Sequence, residues 1–343
     1  MIDRQFCLDM AAAHRKSTTA QNKAHAAAYE ALAARLAPVP PVVVPPVVVP
    51  PVAAGRPFAA TSPWNTPTPA GTKWFDHQLL HTISPPINGD SRRHWYVSHE
   101  AMHVWHATAS DPLCTFNMPQ FVDTRFGRNR PAESFQFRCP ASALPGGDSD
   151  QMLFVVDDTT GEYVEIWLAQ RAGNVISAPG GGWARGNLRT GTGVGTPTQN
   201  AGVRAANFSW AGGLITQEDV AANRIDHALV LSLGYGLLSN TLHRAPATAP
   251  DNGGHDGPIA MGSRLGIPAG VAQPGGLSPL GVAMFAALQT YGAFVGDFAG
   301  TPYPMFYSDG GGDAIGRLFV WWDGYTPDMD LLGPLVRVAD YQP

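Results

Sequence analysis

"QMLFVVDDTTGEYVEIWLAQR", Gln151 to Arg171, is the stretch on which the fold turns. Two runs of valine, isoleucine and aromatic residues flank Asp-Asp-Thr-Thr-Gly, and apolar runs separated by such turn formers read as a β-hairpin. Along the second strand a period of two sets Tyr163, Glu165, Trp167 and Ala169, with Arg171 beyond them, on one face, and Val164, Ile166 and Leu168 on the other. The aliphatic face is core. The other face joins an aromatic platform to an acid and a guanidinium, which suits a sugar: C–H faces stack on Trp167 while hydroxyls bond to Glu165 and Arg171. The same pattern also describes a solvated outer face with one exposed tryptophan.

Outward from the hairpin the chain keeps this character. From Phe58 onward it is rich in Gly, Pro, Thr and aromatic residues, with short alternating runs between turn signals. That pattern predicts a mainly β protein, with residues 58–343 as a β-sandwich or jelly-roll-like head. "RIDHALVLSL" (Arg224 to Leu233) is a further strand, on which Ile225, His227, Leu229, Leu231 and Leu233 share a face. A histidine among leucines is either a satisfied core residue or a base, and Asp226 faces away from it. One packed helix is expected from Ser278 to Tyr291, stopped by Gly292 and turned to the sheet through Val282, Phe285 and Leu288. "DNGGHDGPIAMGSRL" puts His255, Asp256 and Arg264 on a glycine-rich loop, where binding residues collect on rigid scaffolds.

The first 57 residues read differently. Residues 1–37 contain neither proline nor glycine and favour an α-helix with a narrow stripe of small side chains, suited to anchoring or oligomerisation. Residues 38–57 hold "PPVVVPPVVVPPV" (Pro40 to Val52). Each proline fixes its own φ and pushes the preceding residue out of the helical region, so this run is an extended, polyproline-like stalk. At about 3.1 Å per residue its ends stand roughly 40 Å apart. Its exposed valines would each forfeit on the order of 1.5 kcal/mol relative to burial. Neighbouring copies are the simplest cover, which predicts a homotrimer.

Charge and composition exclude some partners. With 343 residues, 44% hydrophobic and 14% charged, and a net charge of -5, the chain is long enough for a large core and too poor in clustered cations for a nucleic-acid footprint. "MIDRQFCLDM" at the start lacks the basic and apolar regions of a signal peptide. The valine-proline run is too short and too rich in proline to span a bilayer. Among the three cysteines, Cys114 and Cys139 either pair or pack as two half-buried thiols. No cofactor is expected.

"HEAMH", His99 to His103, matches the pattern that sets two imidazoles on one helical turn around zinc. Its flanks favour a strand instead, with Met102, Val104 and His106 alternating against His103, Trp105 and Ala107. A group of His94, His99, His103 and His106 binding a metal structurally, or lining a polar groove, stays open.

"SPWNTP" (Ser62 to Pro67), the hairpin, "SWAGGLITQEDVAANRIDHALVLSL" (Ser209 to Leu233), "PIAMGSRL" (Pro258 to Leu265) and "ALQTYGAFVGD" (Ala287 to Asp297) follow in an order that resembles an uncharacterised β-sandwich family. That family occurs in secreted proteins of actinobacteria and other bacteria and in phage tail or fibre proteins. The resemblance implies a surface role near carbohydrate. Combined with the stalk, it leads to the expectation of a phage virion structural protein: a fibre or spike, assembled in the host cytoplasm and exposed on the virion surface. Residues 1–37 would attach it to a capsid or tail protein. The head would bind surface polysaccharide through Tyr163, Glu165, Trp167, Arg171, His255 and Asp256. The alternative is a polysaccharide depolymerase, lyase or hydrolase, with Glu165 or His227 as base, Tyr163 as proton donor and Arg171 or Arg264 neutralising a uronate. A zinc-dependent hydrolase using His99, His103 and His106 is the lesser alternative.

Overall fold

The computed structural model describes residues 30, 56–87, 90–98, 103–123, 128–147, 149–251, 253, 256–309 and 327–340. Apart from Glu30, Arg56 and Pro57, the expected N-terminal helix and stalk lie outside the described residues. Those described form a mainly β protein with few helices.

The hairpin is its middle layer. Leu153–Asp157 runs antiparallel to Glu162–Ile166 in the register Leu153 to Ile166 and Val156 to Tyr163. Trp183–Asn187 and Val104–Ala107 complete a four-stranded sheet, the latter parallel to Leu153–Asp157. Alternation sends the two sets of side chains into two different cores. Phe154, Val156 and Tyr163 join the larger one, while Leu153, Val155, Val164 and Ile166 join a smaller one with Cys114, Phe116, Phe137 and Ile176 of a second four-stranded sheet.

Both faces of this sheet are therefore buried, and neither is a solvated platform. The period of two also ends sooner than the sequence suggests. Leu168 adopts φ 57°, in the left-handed region, which breaks the strand after Trp167. Ala169 bonds back to Gln151, and Arg171 lies on Gln170–Ala172 in the other four-stranded sheet, so Arg171 does not share a strand with Tyr163.

The largest sheet has seven strands, in the order Trp74–Phe75, Arg337–Ala339, Arg264–Gly266, Ala293–Phe298, Leu229–Leu233, Met305–Tyr307 and Tyr96–Ser98. The strand expected over Arg224–Leu233 spans only Leu229–Leu233, because the residues before it follow the left-handed Asn223 that ends the helix Gln217–Ala222; it is buried along its whole length and lies parallel to Ala293–Phe298. Parallel pairs need crossovers, so the layered β architecture is mixed and not built from antiparallel hairpins alone. Trp64 of "SPWNTP" is fully buried, edge-on to Phe208 and Phe294, and its carbonyl accepts from Ala228 N at 2.7 Å. That contact ties the start of the head to the residue before the strand Leu229–Leu233.

The expected helix spans Pro279–Thr290. Ser278 caps it by accepting from Gly281 N, proline occupies its first turn, and Gly292 follows at φ 70°. Phe285 and Leu288 are buried, whereas Val282 is 37% exposed. Val282 shares an i, i+4, i+8 row with Ala286 and Thr290 on the water side, so it does not pack on the sheet as its hydrophobicity suggested. No helix among the described residues is long and apolar enough to cross a membrane.

Candidate functional site: an aromatic and acidic cavity

Where the hairpin sheet ends, Trp167 turns out of the core and meets the loop that follows residue 200. Trp167, Trp183, Trp210, Asp150, Asp251 and Asp297 line a cavity of ≈ 280 Å³ there. Trp167 is half-buried, and its indole N–H donates to Asp150 Oδ1 at 3.1 Å. Trp183 is buried, donates to Pro119 O at 3.1 Å, and carries the Arg130 guanidinium 3.9 Å above its ring.

The opposite wall is built on Glu165. This carboxylate is fully buried and accepts from Val203 N at 2.7 Å, Ser209 Oγ at 2.9 Å and Trp210 N at 2.9 Å. It thereby clamps the loop onto the hairpin. Asn207, left-handed at φ 65°, holds the same loop from the other side: its amide donates to Thr196 O, Gln199 O and Thr248 Oγ1 and accepts from Ala201 N. Gly202 is required by close approach, since a Cβ there would lie 1.7 Å from the Phe208 carbonyl oxygen.

Between the clamps sits Arg204, with no solvent exposure. Its guanidinium lies 3.7 Å above the Trp210 ring and 4.3 Å from that of Tyr307, whose hydroxyl pairs with Ser232 Oγ at 2.5 Å. Burial lowers the Arg204 pKa, while Tyr307, Asp297 and Glu165 oppose that shift. Burial pushes Glu165 up to about 7 against its three donors and Arg204. Asp297 is raised to about 7 by burial and by the charges of Asp251 and Asp150, with Arg204 and the Phe298 N–H acting in the other direction. A carboxyl poised near neutrality in a cavity can hold or release a proton under physiological conditions. Trp210, only 7% exposed, has a buried indole N–H without an acceptor among the described residues.

The other residues singled out in the sequence are dispersed. Tyr163 is buried beside the cavity wall, donates to Ala201 O at 2.7 Å, and is held above the ordinary tyrosine range by burial. Arg171 is committed to the carbonyls of Pro140 at 2.7 Å, Ala143 at 2.6 Å and Gly173 at 2.9 Å. Beside it, Cys114 and Cys139 are free, buried thiols, and burial raises Cys139 to about 12. Asp256 is exposed and bridges to Ser239, whereas His255 lies outside the described residues. Arg264 covers Phe294 at 4.6 Å and bonds to Thr66 O and Thr68 Oγ1, lining a separate depression with Arg244.

His227 is 2% exposed. One ring nitrogen meets Ala228 O at 2.9 Å and the other Asp219 Oδ2 at 3.2 Å, Asp219 being the residue that also forms a capping box with Thr216. Asp219 carries no signal within the strand's own sequence, because this acid reaches His227 from the helix Gln217–Ala222.

Among the described residues the histidines do not converge. His103 lies in front of the strand Val104–Ala107, 3.6 Å from Asp309, while His106 pairs with Asp158 at 2.8 Å. His94 lies between Asp90 at 3.2 Å and Asp330 at 3.5 Å, and His99 falls outside the described residues. Among the described residues no three His, Cys, Asp or Glu side chains are grouped to hold a metal ion.

No family model, curated protein or solved structure matches the chain.

Among the described residues of the expected sugar-binding set, only Trp167 lines the cavity; Glu165 and Tyr163 stand behind its wall as positioning residues. Asp150, Arg204, Asp251, Trp210 and Asp297 carry no spacing signal of their own. Trp210 and Asp297 do fall inside "SWAGG" and "AFVGD", two of the segments on which the family resemblance rests.

Proposed function

We propose that the head binds carbohydrate in this cavity, and that the chain is a virion fibre or spike displaying that site at the end of a valine-proline stalk. One observation carries the binding reading. Indole rings and carboxylates converge on a single cavity, and C–H faces of a sugar stack on the former while its hydroxyls donate to the latter. The buried N–H of Trp210 adds a donor that awaits an acceptor. The fibre reading is supported by the Pro40 to Val52 run and by the family resemblance; trimerisation would let several weak sites act with one effective concentration. Attachment of residues 1–37 to a capsid or tail protein completes it.

The test is direct. Trp167→Ala should weaken glycan binding about tenfold or more, as loss of a ring platform does, while unfolding within about 1 kcal/mol of the parent chain. Intrinsic fluorescence during titration with surface polysaccharide reads the first, and urea unfolding the second. Retention of full affinity by Trp167→Ala overturns the cavity as the site. Molecular mass of the full chain in solution tests the trimer.

A second reading, a polysaccharide depolymerase, is favoured by the Asp297 carboxyl near pH 7 beside Asp150 and Asp251, a pairing of proton donor and ionised acid that glycoside cleavage uses. New reducing ends from purified protein, lost in Asp297→Asn, would establish it; binding without release would exclude it.

A further inference from the structure

We propose that this cavity selects glycans that carry a cationic amine, an inference that rests on the carbohydrate reading above. The side chains lining it include three carboxylates, Asp150, Asp251 and Asp297, and, among the described residues, no lysine, arginine or histidine. The two cations near it are already engaged behind the wall. Arg130 lies on Trp183 and bonds to Asn200 O, and Arg204 is enclosed by Trp210, Tyr307, Asp297 and Glu165, which leaves Asp150 and Asp251 as the carboxylates that do not face it. An acid-lined concavity with low-dielectric walls focuses a negative field on its contents. Trp183 and Trp210 already carry Arg130 and Arg204, and the half-buried Trp167 adds a second attraction, because a cation over the face of a tryptophan is drawn by the ring quadrupole. Acids and aromatics thus favour the same ligand class, and both disfavour the uronate that a free arginine would have served. Arg264 and Arg171, the residues suited to a uronate, lie elsewhere.

Independent of the acids, the buried Trp210 N–H without an acceptor points to an occupant that brings a hydroxyl or ring oxygen. An amine-bearing sugar supplies both features: oxygens for the indole N–H and a positive charge for the carboxylates.

The experiment titrates the full chain with a glucosamine tetramer, its N-acetylated form, a neutral glucose tetramer and a galacturonate tetramer, following tryptophan fluorescence at low and high salt. The free amine form is expected to bind about tenfold tighter than its acetylated partner, with the advantage shrinking as salt is added. An N-trimethylated tetramer, whose charge does not titrate, separates ligand from protein ionisation. Asp297 titrates near 7, facing Arg204, Asp251 and Asp150, so affinity for that probe should rise as pH passes upward through this value. In Asp251→Asn the ratio of amine to acetylated affinity should fall toward one. Equal binding of amine and neutral tetramers, or a preference for galacturonate, overturns the amine selection and leaves carbohydrate binding standing. No binding of any tetramer overturns both.

Discussion

Two buried charged networks lie in this head, and they are satisfied in different ways. Around His227 every polar atom has a nearby partner: a carbonyl on one ring nitrogen and Asp219 on the other, with Thr216 closing the capping box. Around Glu165 and Arg204 the carboxylate is fully bonded, yet the network borders a cavity, an indole N–H lacks an acceptor, and Asp297 is held near neutrality by its neighbours. A closed network stabilises a fold. The network around Glu165 and Arg204 is open on one side, with space beside it, and the proposed carbohydrate site rests on that difference.

The largest effect that bears on this contrast comes from Glu165→Ala. It strips the acceptor from two buried donors and one part-buried donor and removes a neighbouring negative charge from Arg204, so a loss of about 3–5 kcal/mol is expected in urea unfolding. A loss below about 1 kcal/mol would show that the loop is not held by this clamp. Gly202→Ala should cost about 1–3 kcal/mol and disturb the cavity wall, because its Cβ meets a backbone oxygen that cannot swing away. Tryptophan fluorescence and unfolding together read both consequences.

Asp219→Asn sharpens the other side of the comparison, with an expected cost of about 1–3 kcal/mol below neutral pH. The sign follows from the protonation of His227. Burial alone would lower its pKa, but the bond and charge of Asp219 and the Ala228 carbonyl raise it above the ordinary histidine value. The stabilisation is therefore complete below the unfolded pKa of about 6.5 and is lost as pH rises through the higher folded value. Unfolding measured across that window should show the parent chain losing stability with rising pH and the His227→Gln variant losing less. The smallest effect is expected at Val282→Ala, within about 0.5 kcal/mol, against about 3–5 kcal/mol for Phe285→Ala on the inner face of the same helix.

Much of this was legible in order of locality. The hairpin, the strand through Leu229, the helix boundaries and the mainly β class follow from alternation, turn residues and capping, which act between residues close in sequence. The two faces of Glu162–Ile166 were also separable by period. What covers the second face was not, because the loop carrying Val203, Ser209 and Trp210 arrives from some forty residues downstream. Glu165 consequently reads as a sugar contact in one dimension and is a buried clamp in three.

The sequence by itself determined the two hairpin strands, the strand through Leu229, where the helix starts and stops, and which side chains of the hairpin part to opposite faces, since these depend on backbone sterics and short-range periodicity. Only the tertiary structure decided that Asp150, Asp251 and Asp297 share a cavity with Trp167 and Trp210, that Arg171 leaves them, and that His227 finds its acid on a helix. The physical reason is range: a strand's pattern is written by neighbours, whereas a site is made where distant segments bury one another's charges.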